Sequence, residues 1–154
     1  MNTVGTDEKL IEVLNDLVKI NNDRVSGYEK ASDESRELDV DLRTTFRQMA
    51  DDSRQYNADL IGRIQELGGQ TEGGTTVMGK LYRAWMDVKV TFSGDDRKAI
   101  LSSCEFGEDA AQKAYTDALA TDADMDTETR QLIASQKADL KRSHDLIKTY
   151  RDSN

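Results

Sequence analysis

Proline is missing from all 154 residues, and cysteine, tryptophan and histidine occur once each. Average usage would supply about 5% proline, most of it in turns and helix starts. Its complete absence weighs against a strand-and-turn protein and suits long uninterrupted helices. A lone cysteine, Cys104, cannot form an internal disulfide. Apolar runs extend to only a few residues, so no segment is predicted to span a bilayer. The N-terminus, Met1-Asn2-Thr3-Val4-Gly5-Thr6-Asp7-Glu8, shows neither the basic region nor the apolar stretch of a signal peptide. Cytoplasmic residence is the expectation. Positive charge is also short: 21 basic residues face 30 acidic ones, for a net charge of -9. That field repels phosphate backbones and anionic headgroups, and no local basic patch offsets it, so no nucleic-acid or membrane partner is expected.

What is present is helical periodicity. Five segments carry apolar residues at i, i+3, i+4 and i+7 spacing, separated by glycine, serine, threonine and aspartate. The first runs over 7–30, with Leu10, Leu14, Leu17, Val25 and Tyr28 in line and Thr6 or Asp7 as N-cap. The second covers 38–67 through Leu42, Phe46, Met49, Tyr56, Leu60 and Ile64, and Gly68-Gly69 signals its C-cap. A shorter third covers 77–92, with Val77, Leu81, Trp85, Val88 and Phe92 on one side. The fourth, from Asp95 or Asp96 to Ala120, carries Ile100, Cys104, Ala111, Tyr115 and Ala118. The fifth, 126–151, runs through Ile133, Leu140 and Ile147 and is capped by Asp126 or Thr127. Two long pairs joined by a long crossover that holds a short extra helix define a ferritin-like four-helix bundle, all-α, as one domain over 1–154. A plain five-helix bundle is the alternative.

Each long stripe is interrupted by a polar residue near its middle: Asn21, Asp52 with Gln55 three residues on, Glu108, and His144. In an antiparallel bundle these four interruptions fall at similar heights. A buried polar group costs free energy unless it is hydrogen-bonded or metal-bound, so a shared polar layer is predicted. The sequence also echoes itself: Asn21 precedes Tyr28 by seven residues as Glu108 precedes Tyr115, and Asp52-x-x-Gln55 sits where Lys141-x-x-His144 sits. A duplicated helix pair leaves such an echo.

Carboxylate-bridged di-iron bundles place a Glu on each of two helices and Glu-x-x-His on each of the other two, because hard carboxylates bridge two metals while imidazoles bind terminally. Here Asn21 replaces the first glutamate, Asp52-x-x-Gln55 replaces one pair, and Lys141 stands where the last glutamate belongs. Two readings follow. In the first, Asn21, Asp52, Glu108 and His144 hydrogen-bond across the core, no cofactor is bound, and a His144–Glu108 pair is pH-sensitive. In the second, Glu108, His144, Asp52 and Gln55 hold iron or another divalent metal, with Tyr28 and Tyr115 as nearby phenols. The first is preferred.

Other motifs lose weight individually. Cys104 lies on an apolar stripe without a basic neighbour to lower its pKa. Gly73-Gly74-Thr75-Thr76 lacks a phosphate-loop lysine and follows a helix rather than a strand. Trp85 with Tyr82 and Met86 reads as core, and an exposed edge of that helix would be a place for dimers to form.

The stretches Asn15-Asp16-Leu17-Val18-Lys19-Ile20-Asn21-Asn22-Asp23-Arg24 and Gly27-Tyr28-Glu29-Lys30-Ala31 resemble the start of a bacterial four-helix-bundle family of unknown function. Gly79-Lys80-Leu81-Tyr82-Arg83-Ala84-Trp85-Met86-Asp87-Val88-Lys89 resembles its middle segment. Cys104-Glu105-Phe106-Gly107-Glu108-Asp109-Ala110-Ala111 and Ser143-His144-Asp145 are similar to its later parts. The family is grouped with ferritin-like proteins, so the resemblance implies the fold and assigns no reaction. The expectation is a non-enzymatic, self-associating bundle, a dimer or the binder of a protein partner, with a stress-related role suggested only by the family's company. The alternative is a metal-dependent oxidoreductase or metal-storage protein with an altered site.

Overall fold

The computed structural model describes residues 4–35, 40–71 and 97–152. Among the described residues there are four helices: α1 (Val4–Glu34), α2 (Val40–Glu66), α3 (Arg97–Leu119) and α4 (Thr127–Asp152). The helix predicted over 77–92 lies outside the described residues. α1 continues four residues beyond the predicted Lys30 because Ala31-Ser32-Asp33-Glu34 contains no breaker. It stops at Ser35, whose amide and hydroxyl both donate to the Ala31 carbonyl.

The predicted glycine cap on α2 forms a Schellman motif. Gly68 takes φ +81°, its amide donates to the Gln65 carbonyl, and the Gly69 amide donates to the Ile64 carbonyl at 2.9 Å. At the start of α4, Asp126 is the N-cap: its Oδ2 accepts the Thr129 amide at 3.2 Å and its Oδ1 the Thr129 hydroxyl at 2.6 Å. Arg63 of α2 reaches the same place, with Nη2 2.8 Å from Asp126 Oδ2 and Nε donating to Thr129 Oγ1 at 2.7 Å.

α1 packs along α2 and α3 along α4; α1 also meets α3, while α2 and α4 touch only sparsely. The apolar stripes meet in two clusters. One joins Tyr28, Leu42, Phe46, Met49, Ile100, Leu101, Cys104 and Ile147; the other joins Leu10, Leu14, Leu17, Leu60, Ile64, Tyr115, Ile133 and Leu140. α1 and α4 run from the second cluster to the first, and α2 and α3 run the opposite way. α2 and α3 are therefore parallel, and the end of α2 and the start of α3 lie at opposite ends of the bundle. This is ferritin-like connectivity, an up-down pair linked by a long crossover to a second pair.

Candidate functional site

Between the two apolar clusters every helix passes the same height, and there the core turns polar. Asn21 and Arg24 of α1, Ser53 of α2 and Glu108 of α3 are all buried, each at 0% exposure. Arg24 Nη2 lies 2.6 Å from Glu108 Oε2, an ion pair sealed from solvent on both sides. Tyr28 donates its hydroxyl to the same Glu108 oxygen, and Arg24 Nη1 donates to Ser53 Oγ. Ser53 donates to Asn21 Oδ1 at 2.9 Å, and Asn21 Nδ2 donates to the Tyr115 hydroxyl at 2.8 Å. Tyr115 donates to Gln136 Oε1 at 2.7 Å, and Gln136 Nε2 ends the chain on the Tyr56 carbonyl at 3.1 Å. One connected network thus crosses all four helices.

Its electrostatics follow from burial. Desolvation alone would lower the Arg24 pKa, but the Glu108 carboxylate and the Tyr28 oxygen beside it outweigh that and hold the guanidinium charged. Burial, reinforced by the Glu108 charge, raises Tyr28 and Cys104 well above their ordinary values, so phenol and thiol stay protonated. Burial also raises Tyr115, against the opposing hydrogen bond from Asn21. Cys104 therefore behaves as core, as its stripe predicted. The Arg24 guanidinium carbon lies 5.2 Å from the Tyr28 ring centroid, within cation–π range. Two atoms of the layer have no hydrogen-bond partner: Glu108 Oε1 and Arg24 Nε.

Of the residues singled out by sequence, Asn21, Glu108, Tyr28 and Tyr115 meet here, while Asp52, Gln55, His144 and Lys141 lie elsewhere. Asp52 is half-buried and accepts from Gln48, and Gln55 is exposed and donates to Asp59. Both line an open groove of about 650 Å³ between α2 and α4, with Asp139, Arg142 and Leu146 opposite. His144, with 21% of its side chain exposed, pairs with Asp109 rather than Glu108; its Nε2 is 2.7 Å from Asp109 Oδ1 and its Nδ1 3.3 Å from Asp145 Oδ1. Lys141 is exposed and pairs with Asp145 at 3.0 Å. The expected His144–Glu108 pair and the expected grouping of Glu108, His144, Asp52 and Gln55 are thus corrected.

The physical reason is angular. At about 100° per residue, Ser53 continues the line Phe46, Met49, Tyr56, Leu60, whereas Asp52 points roughly 80° away and Gln55 further still. His144 sits roughly 40° off the line through Ile133, Leu140 and Ile147, on the side opposite to Gln136, which turns it toward α3's outer edge. Arg24, Ser53 and Gln136 escape a reading by residue type although each lies on a core stripe: Arg24 three residues after Asn21, Ser53 four after Met49, Gln136 three after Ile133. Arginine is so seldom fully buried that its type masks its position.

A di-iron centre does not fit these residues. Among the described residues Glu108 is the one carboxylate bonded into the network, and a guanidinium already sits on it. Among the described residues no three histidine, cysteine, aspartate or glutamate side chains gather where they could hold a metal ion. Among them, too, no helix is long and apolar enough to cross a membrane.

Comparison with solved structures shows the same fold. A point mutant of Mycobacterium smegmatis Dps1 aligns at TM-score 0.82 and 14% identity over 98% of this chain and 99% of that one. A dodecameric thioferritin, the bacterioferritin-related protein of Bacteroides fragilis, aligns at 0.76 and 16% over 96% and 86%. A ferritin-like diiron-carboxylate protein from Bacillus anthracis aligns at 0.76 and 18% over 98% and 99%. At such identities the likeness is one of fold. No curated protein matches the sequence. A family model does match, over residues 9–121, which takes in most of α1, α2 and all of α3 with the network they share. The chain is a ferritin-like bundle that belongs to the family described as Domain of unknown function (DUF2383).

Proposed function

We propose that this protein is a non-enzymatic ferritin-like bundle that self-associates in the cytoplasm and acts through its surface, with a structural polar layer in place of a di-iron site. The observation that carries this reading is the Arg24 guanidinium seated on Glu108 at 2.6 Å in a fully buried core. A cation fixed there repels a metal ion and neutralises the carboxylate that would otherwise bind one. The other residues that the metal reading requires, Asp52, Gln55 and His144, point away from that position. Self-association draws support from the neighbouring fold of a thioferritin described as dodecameric. A stress-related role rests on the family's company alone.

Elemental mass spectrometry on protein purified without chelator tests the reading, with Glu108→Ala and His144→Ala as controls. The expected result is no iron, manganese or zinc near stoichiometry in any of the three. Near-stoichiometric metal in the wild type that Glu108→Ala removes would overturn it and favour an altered metal site with oxygen chemistry.

A further inference from the structure

We propose that the centre of this bundle is a cation site which the chain fills with its own Arg24, and that the site takes the guanidinium class of cation and rejects divalent metals. The proposal rests on the reading of the layer as structural and adds what the layer recognises. Four observations carry it. Glu108 is sealed from solvent, so its charge requires a partner held in the core rather than counter-ions from outside. The partner it has is planar: one Arg24 nitrogen meets Glu108 Oε2 while the other meets Ser53 Oγ, which puts an anion and a neutral acceptor at the spacing of a guanidinium fork. The Tyr28 ring lies 5.2 Å from the guanidinium carbon, a contact that suits a weakly hydrated flat cation. Glu108 Oε1 has no partner, so the carboxylate depends on Arg24 and Tyr28 alone.

A divalent metal asks for something else. Magnesium and calcium want six or more oxygens with several charges among them, and zinc wants imidazole or thiolate. Among the described residues the layer offers one carboxylate, a serine hydroxyl, two side-chain amides and two phenols whose protons burial retains. Among the described residues Glu108 is the one acid whose bonds join this layer, and it neutralises a single positive charge.

Chemical rescue of Arg24→Ala tests the proposal. Thermal melting of the wild type, Arg24→Ala and Arg24→Ala/Glu108→Ala is followed in guanidinium chloride at low millimolar concentrations, far below denaturing levels, and in matching sodium chloride and manganese chloride. Arg24→Ala is expected to melt on the order of 10 °C below the wild type. Guanidinium recovers several degrees of that loss, and sodium and manganese recover none. The wild type and the double variant gain nothing from guanidinium, since the first has its cation and the second has no carboxylate to neutralise. Equal melting of Arg24→Ala and wild type would overturn the proposal, and so would recovery by manganese instead of guanidinium, or the lack of any recovery in a folded Arg24→Ala. If Arg24→Ala does not fold, the double variant decides. Removing both charges must restore folding, and a double variant as unfolded as the single one contradicts the site. Failure of rescue in a metal-free protein would sink this inference alone, whereas metal bound to the wild type through Glu108 would sink the reading beneath it.

Discussion

The Glu108 carboxylate is fully buried, and two donors, Arg24 and Tyr28, meet it on one oxygen. Removing one partner of such a pair strands the other, which costs about 3–5 kcal/mol. Glu108→Ala is therefore expected to lose stability on that scale in urea unfolding. Tyr28→Phe deletes only a hydrogen bond to a charged group, a loss of about 1.5–3 kcal/mol, because the ring and its contact with Phe46 survive. His144→Ala, by contrast, removes a partly exposed contact with Asp109 and is expected to cost no more than about 1 kcal/mol. A loss for His144→Ala as large as that for Glu108→Ala would mean that the histidine belongs to the core layer after all. The residue scale is also where the sequence is hardest to read. Asn21 and Glu108 are visible because a polar type breaks an apolar stripe. Arg24 breaks the same stripe one turn later, yet its type speaks for the surface, and only the presence of Glu108 on a facing helix makes its burial tolerable. Asp52 draws attention ahead of Ser53 because it offers a ligand; a shift of one residue moves a side chain by over a quarter turn.

The helices themselves are legible to within a few residues, since period and caps are local properties. Gly68-Gly69 announces the end of α2 and Asp126 the start of α4, and both caps form as read. What local pattern does not supply is the pairing of these two ends through Arg63, which bridges Asp126 and Thr129 across 63 and 66 residues of chain. The bridge has a pH signature. Burial pushes the Asp126 carboxyl up, but the hydroxyl and amide of Thr129 together with Arg63 outweigh that and leave its pKa below the usual aspartate value. A carboxyl depressed in the folded state contributes stability that is fully present above its unfolded pKa, about 3.9, and is lost as pH falls through the lower folded value. The melting temperature of the wild type is accordingly expected to fall more steeply below about pH 4 than that of Asp126→Asn, which begins lower at neutral pH because it keeps a capping oxygen but loses the ionic contact with Arg63. Parallel pH profiles for the two proteins would show that the cap carries no ionic contribution. At the other end of the pairing, Gly68 holds φ +81° with open space around its missing Cβ. Gly68→Ala is expected to cost about 1–2 kcal/mol through backbone strain alone.

At the scale of the whole molecule, two apolar clusters bracket one ionic layer, and the sequence foretells the layer better than its members. A chain of net charge -9 that self-associates must do so against its own repulsion, and salt screens such repulsion over a Debye length of about 8 Å near 0.15 M. Sedimentation velocity is expected to show species larger than 17.3 kDa, with their share rising between low and moderate salt. A monomer at every salt concentration would remove self-association from the proposed function. The layer makes a different demand on the molecule. If the core cation is Arg24, folding owes nothing to a metal, whereas a ferritin-like bundle closed around bound ions gains stability from each of them by mass action. Thermal melting of the wild type after exhaustive chelation, and again after adding back iron(II) or manganese(II), addresses this directly. A core neutralised by its own guanidinium predicts one melting temperature in all three states. A drop on chelation, reversed by metal and absent in Glu108→Ala, would contradict it.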